Sequence, residues 1–207
     1  MPLITALLFV GIIFLAIRSE ERLFQNSGTL DVRREGDAVV LTWKSPVEAP
    51  MAKKFEMAFR DYGADTDKFV LDLHSPGGAL AEGGELIRVI ERIKRTHRID
   101  TKVGPGRSCF SMCVPVFLQG ERRAASANSS FMFHEPSAVD FDTGEVVDQP
   151  TFERNFTTKR FVDRYFVRSP MDPTWRDNLV ASWSGKDVFK SGRELMDEGS
   201  GVVTVLE

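Results

Sequence analysis

The chain has 207 residues, 42% of them apolar, with a formal net charge of -3 and a pI near 5.7. That length suffices for one domain with a sizeable core. No Lys/Arg surplus exists to neutralise phosphates, which excludes nucleic acid as a partner. The two cysteines, Cys109 and Cys113, make no disulfide framework and lack zinc-ligand spacing with any His. No metal and no organic cofactor is expected.

From Leu3 to Ile17 the chain is apolar except for Thr5 and Gly11, and Arg18-Ser19-Glu20-Glu21-Arg22 ends the run. As a helix this stretch spans roughly 23 Å, short against a hydrocarbon core of about 30 Å. It lacks the basic flank and small-x-small cleavage site of a secretory signal. Residues 1–22 therefore read as an uncleaved membrane anchor in preference to a signal segment. Residues 23–36, polar and turn-rich around Asn26-Ser27-Gly28, read as a linker, and 37–207 as the folded domain.

Within that domain Ala38 to Trp43 is strand-like and Ser45-Pro46 ends it. Met51, Phe55, Ala58, Phe59 and Tyr62 recur at helical spacing up to Gly63. Lys68 to Leu73 is the next strand, and His74-Ser75-Pro76-Gly77-Gly78 turns the chain into a helix carrying Leu80, Leu86, Ile87, Ile90 and Ile93. The basic run from Arg92 to Arg98 is a solvated helix end, where cations suit the dipole. This alternation predicts an α/β fold with a mostly parallel sheet, whose right-handed crossovers gather strand ends on one edge.

Asp100 to Val103 reads as a short strand closed by Gly104-Pro105-Gly106, and the small and apolar residues after it as a short buried helix. Ser111 would be the cap or first residue of that helix, with Pro115 at about the fourth position, where a missing amide costs nothing. A hydroxyl there sits in a field that favours developing negative charge, and the Met112 amide can meet an oxyanion. The same serine also reads as an ordinary cap. Cys109 and Cys113 are expected to pack as small hydrophobes, since a disulfide four residues apart on one helix needs unusual geometry.

Arg122 to Ala125 and Ser130 to Phe133 are two short strands, the second delivering His134-Glu135-Pro136. Residues 137–150, with Asp140, Asp142, Glu145 and Asp148, form an exposed acidic loop. Phe152, Phe156, Phe161, Tyr165 and Phe166 lie on a helical stretch that packs either in the core or between copies of the chain. Asp172-Pro173 starts a helix, Ser191-Gly192-Arg193-Glu194 is a capping box, and Val202 to Leu206 is a closing strand.

Ser75-Pro76-Gly77-Gly78 lets the backbone approach a ligand with its amides free, as an oxyanion hole requires. Together with Ser111-Met112 and Phe131-Met132-Phe133-His134-Glu135-Pro136, it resembles the Clp protease proteolytic-subunit family, from about Ala38 to the C-terminus. The resemblance implies a ClpP/crotonase-like layered fold. It implies Ser111 as nucleophile and His134, 23 residues on, as base. Asp187, opening Asp187-Val188-Phe189-Lys190-Ser191, would be the orienting acid, Gly78 and Met112 would supply the oxyanion amides, and Ser75, Pro76 and Gly77 would line the substrate. Two differences stand out: Gly106 lies one residue further from the serine than in the family, and Cys109-Phe110 replace two alanines. The Cys-x-Ser-x-Cys form looks more like predicted periplasmic ClpP-class proteins, related in layout to membrane-bound Clp-class proteases. His74 and His97 are not expected in the site, while Asp140 and Asp142 stand as alternative orienters.

The expectation is therefore a membrane-associated, single-pass serine hydrolase cleaving peptide bonds, its domain periplasmic and its partners a peptide or protein substrate and further copies of itself. Arg18 and Arg22 alone would favour the cytoplasmic side. Two rivals stand beside this reading. One is a catalytically inactive ClpP-like scaffold binding a peptide or protein partner, and the other an acyl-thioester enzyme of the crotonase layout.

Overall fold

Gly36, at φ +60°, makes the tight turn that begins the fold, reversing β1 (Leu30–Glu35) onto β2 (Ala38–Trp43) with Glu35 opposite Ala38. The computed structural model describes residues 29–139, 146–183 and 185–207. β1 corrects the expected linker: part of 23–36 is an edge strand, and the folded unit begins before Asp37. Its sequence, Leu-Asp-Val-Arg-Arg-Glu, buries only Leu30 and Val32 in part, and such an edge strand carries too little apolar signal to stand out.

β2 is buried at all six positions. It leads into α1 (Met51–Tyr62), β3 (Lys68–Leu73), α2 (Leu80–Ile93) and β4 (Arg98–Val103). Phe55 and Phe59 of α1, with Leu86 and Ile90 of α2, form the inner faces of these helices, each worth roughly 1.5–3 kcal/mol when fully buried. The Glu82 carboxylate of α2 accepts the Ala52 amide at 2.6 Å, filling the capping role that Pro50 cannot. His97 packs against the Phe69 ring at 5.4 Å, and its Nε2 lies 2.9 Å from the Gly63 carbonyl oxygen.

The remaining elements are β5 (Ser108–Phe110), α3 (Cys113–Phe117), β6 (Arg123–Ala125), β7 (Ser130–Phe133), β8 (Ala138–Val139), β9 (Val146–Val147), α4 (Thr151–Phe161), α5 (Pro173–Ser182), β10 (Val188–Ser191), α6 (Gly192–Asp197) and β11 (Val205–Leu206). The helical stretch expected to reach Phe166 changes to a π-helical turn over Val162–Phe166. The capping box on α6 forms as expected, Ser191 accepting from Glu194 N–H and Glu194 from Ser191 N–H. Asp172 caps α5 by accepting from Trp175 N–H at 2.8 Å.

Six strands make the main sheet in the order β1-β2-β3-β4-β6-β11, parallel except for β1. A second sheet, β10-β7-β5, pairs β7 antiparallel with β10 and parallel with β5. β8 and β9 pair as a hairpin at the two ends of the expected acidic loop; Asp140, Asp142 and Glu145 lie outside the described residues. The buried Arg123 guanidinium donates to the carbonyls of Val202, Gly120 and Gly201, binding the C-terminal segment to the main sheet.

Among the described residues no helix is long and apolar enough to cross a membrane. That overturns the expected single-pass, membrane-associated protein with a periplasmic domain. The apolar segment within 1–22 lies outside the described residues.

Candidate active site

The two sheets meet at an isolated bridge. Ser75, just past β3, pairs with Cys109 of β5, its N–H donating to Ser108 O at 2.9 Å and its C=O accepting from Phe110 N–H at 3.0 Å. His74 reinforces the seam: its Nδ1 accepts from Ser108 N–H at 3.0 Å, so the ring proton sits on Nε2. Beneath it, Arg107 Nη1 approaches the buried Asp72 carboxylate to 2.6 Å, an ion pair without hydrogen-bond alignment. Thr42 Oγ1 donates to the same carboxylate at 3.4 Å. These contacts bring the strand before Ser111 against the glycine turn.

In that turn Ser75 is buried and its hydroxyl accepts from Gly77 N–H at 3.2 Å. Its side chain is thus spent inside the turn, whereas Pro76 is exposed. Gly77 has φ +92°, and a Cβ there would stand 2.6 Å from both Phe110 O and Ser111 Cβ. Only glycine allows this approach. The Gly77 carbonyl accepts from Val47 N–H at 2.7 Å and Ala79 N–H donates to Val47 O at 2.8 Å. Alternation along this strand-like segment turns Gly78 N–H away from Val47. Neither Gly78 N–H nor Met112 N–H meets a protein acceptor among the described residues.

Ser111 does not open a helix directly. The sequence Ser-Cys-Phe forms β5 where a helix was expected, Ser111 then takes φ +52°, and Met112 caps α3. Among the described residues it is the only non-glycine with positive φ. A left-handed serine costs about 1–2 kcal/mol, a strain typical of functional positions. Its N–H donates to Met132 O at 2.9 Å and its C=O accepts from Val114 N–H at 3.0 Å, so strand and helix both hold the turn.

Because the chain turns at Ser111, Cys109 and Cys113 lie on different elements, with Cα atoms 5.2 Å apart, and are joined by a disulfide. This corrects the expectation of two thiols packing as hydrophobes, which rested on placing both on one helix. The Cys-x-Ser-x-Cys spacing was the available signal. Phe110 points away from the glycine turn onto the outer face of the second sheet, where its ring meets Phe189 at 5.7 Å.

Ser111 Oγ lies 2.7 Å from His134 Nε2, a distance at which the hydroxyl donates to a neutral imidazole. Asp187 stands on the far side of the ring, Oδ1 at 4.0 Å from Nδ1, and is more than half exposed. The distance exceeds a hydrogen bond. β7 and β10 explain the placement: Phe133 lies opposite Val188, so His134 and Asp187 follow as the next pair in register. A cleft of about 510 Å³ opens beside them, walled by Glu135, Val147, Asp148, Arg154 and Lys186. His74 is occupied by Ser108 and His97 by Gly63, both outside the cleft. No group of three or more His, Cys, Asp or Glu among the described residues is arranged to hold a metal ion.

No family model matches the sequence, and no curated protein does so either. Solved structures do match. A ClpP1 from Listeria monocytogenes, an Asn-to-Asp mutant, superposes with a TM-score of 0.63 at 14% identity, covering 81% of this chain and 90% of its own. The 1510-N membrane-bound stomatin-specific protease, a Ser-to-Ala mutant, superposes with a TM-score of 0.65 at 15% identity, covering 84% of this chain and 81% of its own. At these identities the likeness is one of fold, and the chain has a ClpP-like α/β fold.

Proposed function

We propose that this chain is a serine hydrolase that cleaves peptide bonds, with Ser111 as nucleophile and His134 as general base. The observation that carries the reading is the 2.7 Å contact between Ser111 Oγ and His134 Nε2, made by a serine held at positive φ. The second solved structure bears the name of a protease, which supports the same class.

Ser111 Oγ attacks the substrate carbonyl as its proton passes to His134 Nε2. The amides of Gly78 and Met112, which meet no acceptor among the described residues, receive the oxyanion of the tetrahedral intermediate. His134 then returns the proton to the departing amine, and water attacks the acyl-Ser111 ester by the reverse path. Asp187 steadies the imidazolium at its Nδ1 side and closes to hydrogen-bond distance when substrate fills the cleft, as catalytic contacts that are long in empty sites do. Exposed Phe152 and Phe156 on α4 suit an interface between copies of the chain.

One observation favours a second reading, an inactive scaffold that binds a peptide: Asp187 is not bonded to His134. Labelling of the full-length chain with a fluorophosphonate, beside Ser111→Ala and His134→Ala, separates the two. Labelling of the parent that both substitutions abolish is expected. A folded parent that does not label leaves the scaffold.

A further inference from the structure

The outer face of the second sheet reads in rows. Register places Ser108, Ser130 and Ser191 in one row and Phe110, Met132 and Phe189 in the next, and His134 and Asp187 continue the pattern one pleat further. Alternation puts all three rows on the same face, while Cys109, Phe131 and Phe133 fill the buried face between them. β5 and β10 flank β7, so Phe110 and Phe189 spring from strands about 9–10 Å apart. Their rings nevertheless meet edge to face at 5.7 Å. With Met132 between them in register, they make an apolar platform that Phe189, 57% exposed, leaves open to solvent. Two residues along a strand is about 7 Å, so the platform borders the His134–Asp187 row.

Resting on the hydrolase reading above, we propose that this platform binds the side chain of the first residue after the scissile bond, and that the chain selects peptides with an aromatic or large aliphatic residue there. The imidazole that takes the serine proton returns it to the departing amine, so the departing half of the substrate runs on the imidazole side and the oxyanion amides lie on the other. The platform shares a sheet face with His134, whereas Gly78 belongs to the turn after β3. One residue of extended peptide covers about 3.4 Å, and a side chain from the position after the scissile bond reaches the Phe110–Phe189 pair. Without such a ligand the exposed side of the Phe189 ring stands in water beside Ser111.

The test digests a peptide library with the full-length chain and maps cleavage sites by mass spectrometry, in parallel with fluorophosphonate labelling. Bonds preceding Phe, Leu or Met are expected to be cut roughly 10- to 100-fold faster than those preceding Ala, the range that apolar pockets discriminate. Phe189→Ala and Phe110→Ala are expected to shrink that ratio to below about threefold, with Phe189→Leu intermediate. A flat preference in the parent, or one that both alanine variants retain, overturns the inference while labelling keeps the activated serine standing. Labelling without cleavage of any peptide overturns it as well. Absence of labelling removes both readings together. If Phe189→Ala instead dissociates an oligomer in sedimentation and leaves the preference intact, the platform is a contact between copies and the inference fails.

Discussion

Severing the Cys109–Cys113 cross-link should cost both stability and reactivity. The bond closes a loop of about five residues, from its sequence separation of 4, and loop-closure entropy for that length corresponds to about 2 kcal/mol. Ser111 sits at the middle of the loop with φ +52°, a conformation that costs a serine about 1–2 kcal/mol. Cross-link and strain are thus of similar size, and without the former the turn can relax toward a conformation in which Oγ no longer meets His134. For a domain of this length 1 kcal/mol moves the melting temperature by about 2–4 °C, so full reduction should lower it by about 4–8 °C. A relaxation worth 1.4 kcal/mol removes about nine-tenths of the aligned population, a tenfold slower reaction with fluorophosphonate. The double variant Cys109→Ala/Cys113→Ala should lose more stability than the reduced parent, because both sulfurs are buried and their packing goes too. The assay compares oxidised, reduced and re-oxidised protein by thermal denaturation and labelling rate, with thiol content measured by mass. Reduced protein that melts and labels like the oxidised form would refute the reasoning.

Other substitutions test neighbouring parts of the argument. Asp187→Asn should slow labelling only about fivefold, because an exposed partner at 4.0 Å is worth roughly 1 kcal/mol; a loss near 10⁴-fold would mean a buried, bonded aspartate. Gly77→Ala, whose Cβ would stand 2.6 Å from Phe110 O and Ser111 Cβ, should abolish labelling while the far-ultraviolet circular dichroism persists. Arg123→Leu leaves the carbonyls of Val202, Gly120 and Gly201 without their donor; at about 1–3 kcal/mol each it should destabilise by about 3 kcal/mol or more, and lower the melting temperature by at least about 6 °C. Hydrogen bonds from the Ser191 backbone and side chain hold the Glu194 carboxyl below its ordinary range. A depressed folded-state value adds stability above the ordinary glutamate pKa and loses it as pH falls through the depressed one, so the gap between parent and Glu194→Ala in urea denaturation should narrow as pH drops below about 4.

Legibility followed the length and periodicity of each segment. β2, β3, α1 and α2 are long enough for their apolar spacing to declare itself, and the Asp172 and Ser191 caps follow from local chemistry that nothing distant can alter. The Ser111–His134 contact was readable as motif and spacing. β1 was not, because Leu30-Asp31-Val32-Arg33-Arg34-Glu35 pairs along an exposed edge and keeps only two apolar residues. β5 was missed for a different reason: three residues cannot display a period, and Ser-Cys-Phe before Val-Pro-Val-Phe continues a run that suits a buried helix equally well. That single misplacement put both cysteines on one helix and hid the disulfide.

The same misplacement concealed how the site is assembled. A serine capping a helix needs only its own helix, but a serine between β5 and α3 needs β5 to be fixed in space. Three residues cannot do this alone, and the fixing comes from both sides. Phe110 pairs in register with Met132 of β7, which continues to His134, while Ser75 brackets Cys109 from the β3 side and continues to Gly77 and Gly78. One short strand thereby sets Ser111 against His134 through one sheet and against the Gly77-Gly78 turn through the other. Arg107, paired with Asp72, and His74, which accepts from Ser108 N–H, tie the start of β5 to the end of β3 and act at the hinge between these two halves. Disturbing the seam should therefore move Ser111 relative to both His134 and the glycine turn, whereas Asp187, carried by β10 on the far side of β7, can shift alone. The long 4.0 Å separation sits at the one member of the site that this strand does not hold.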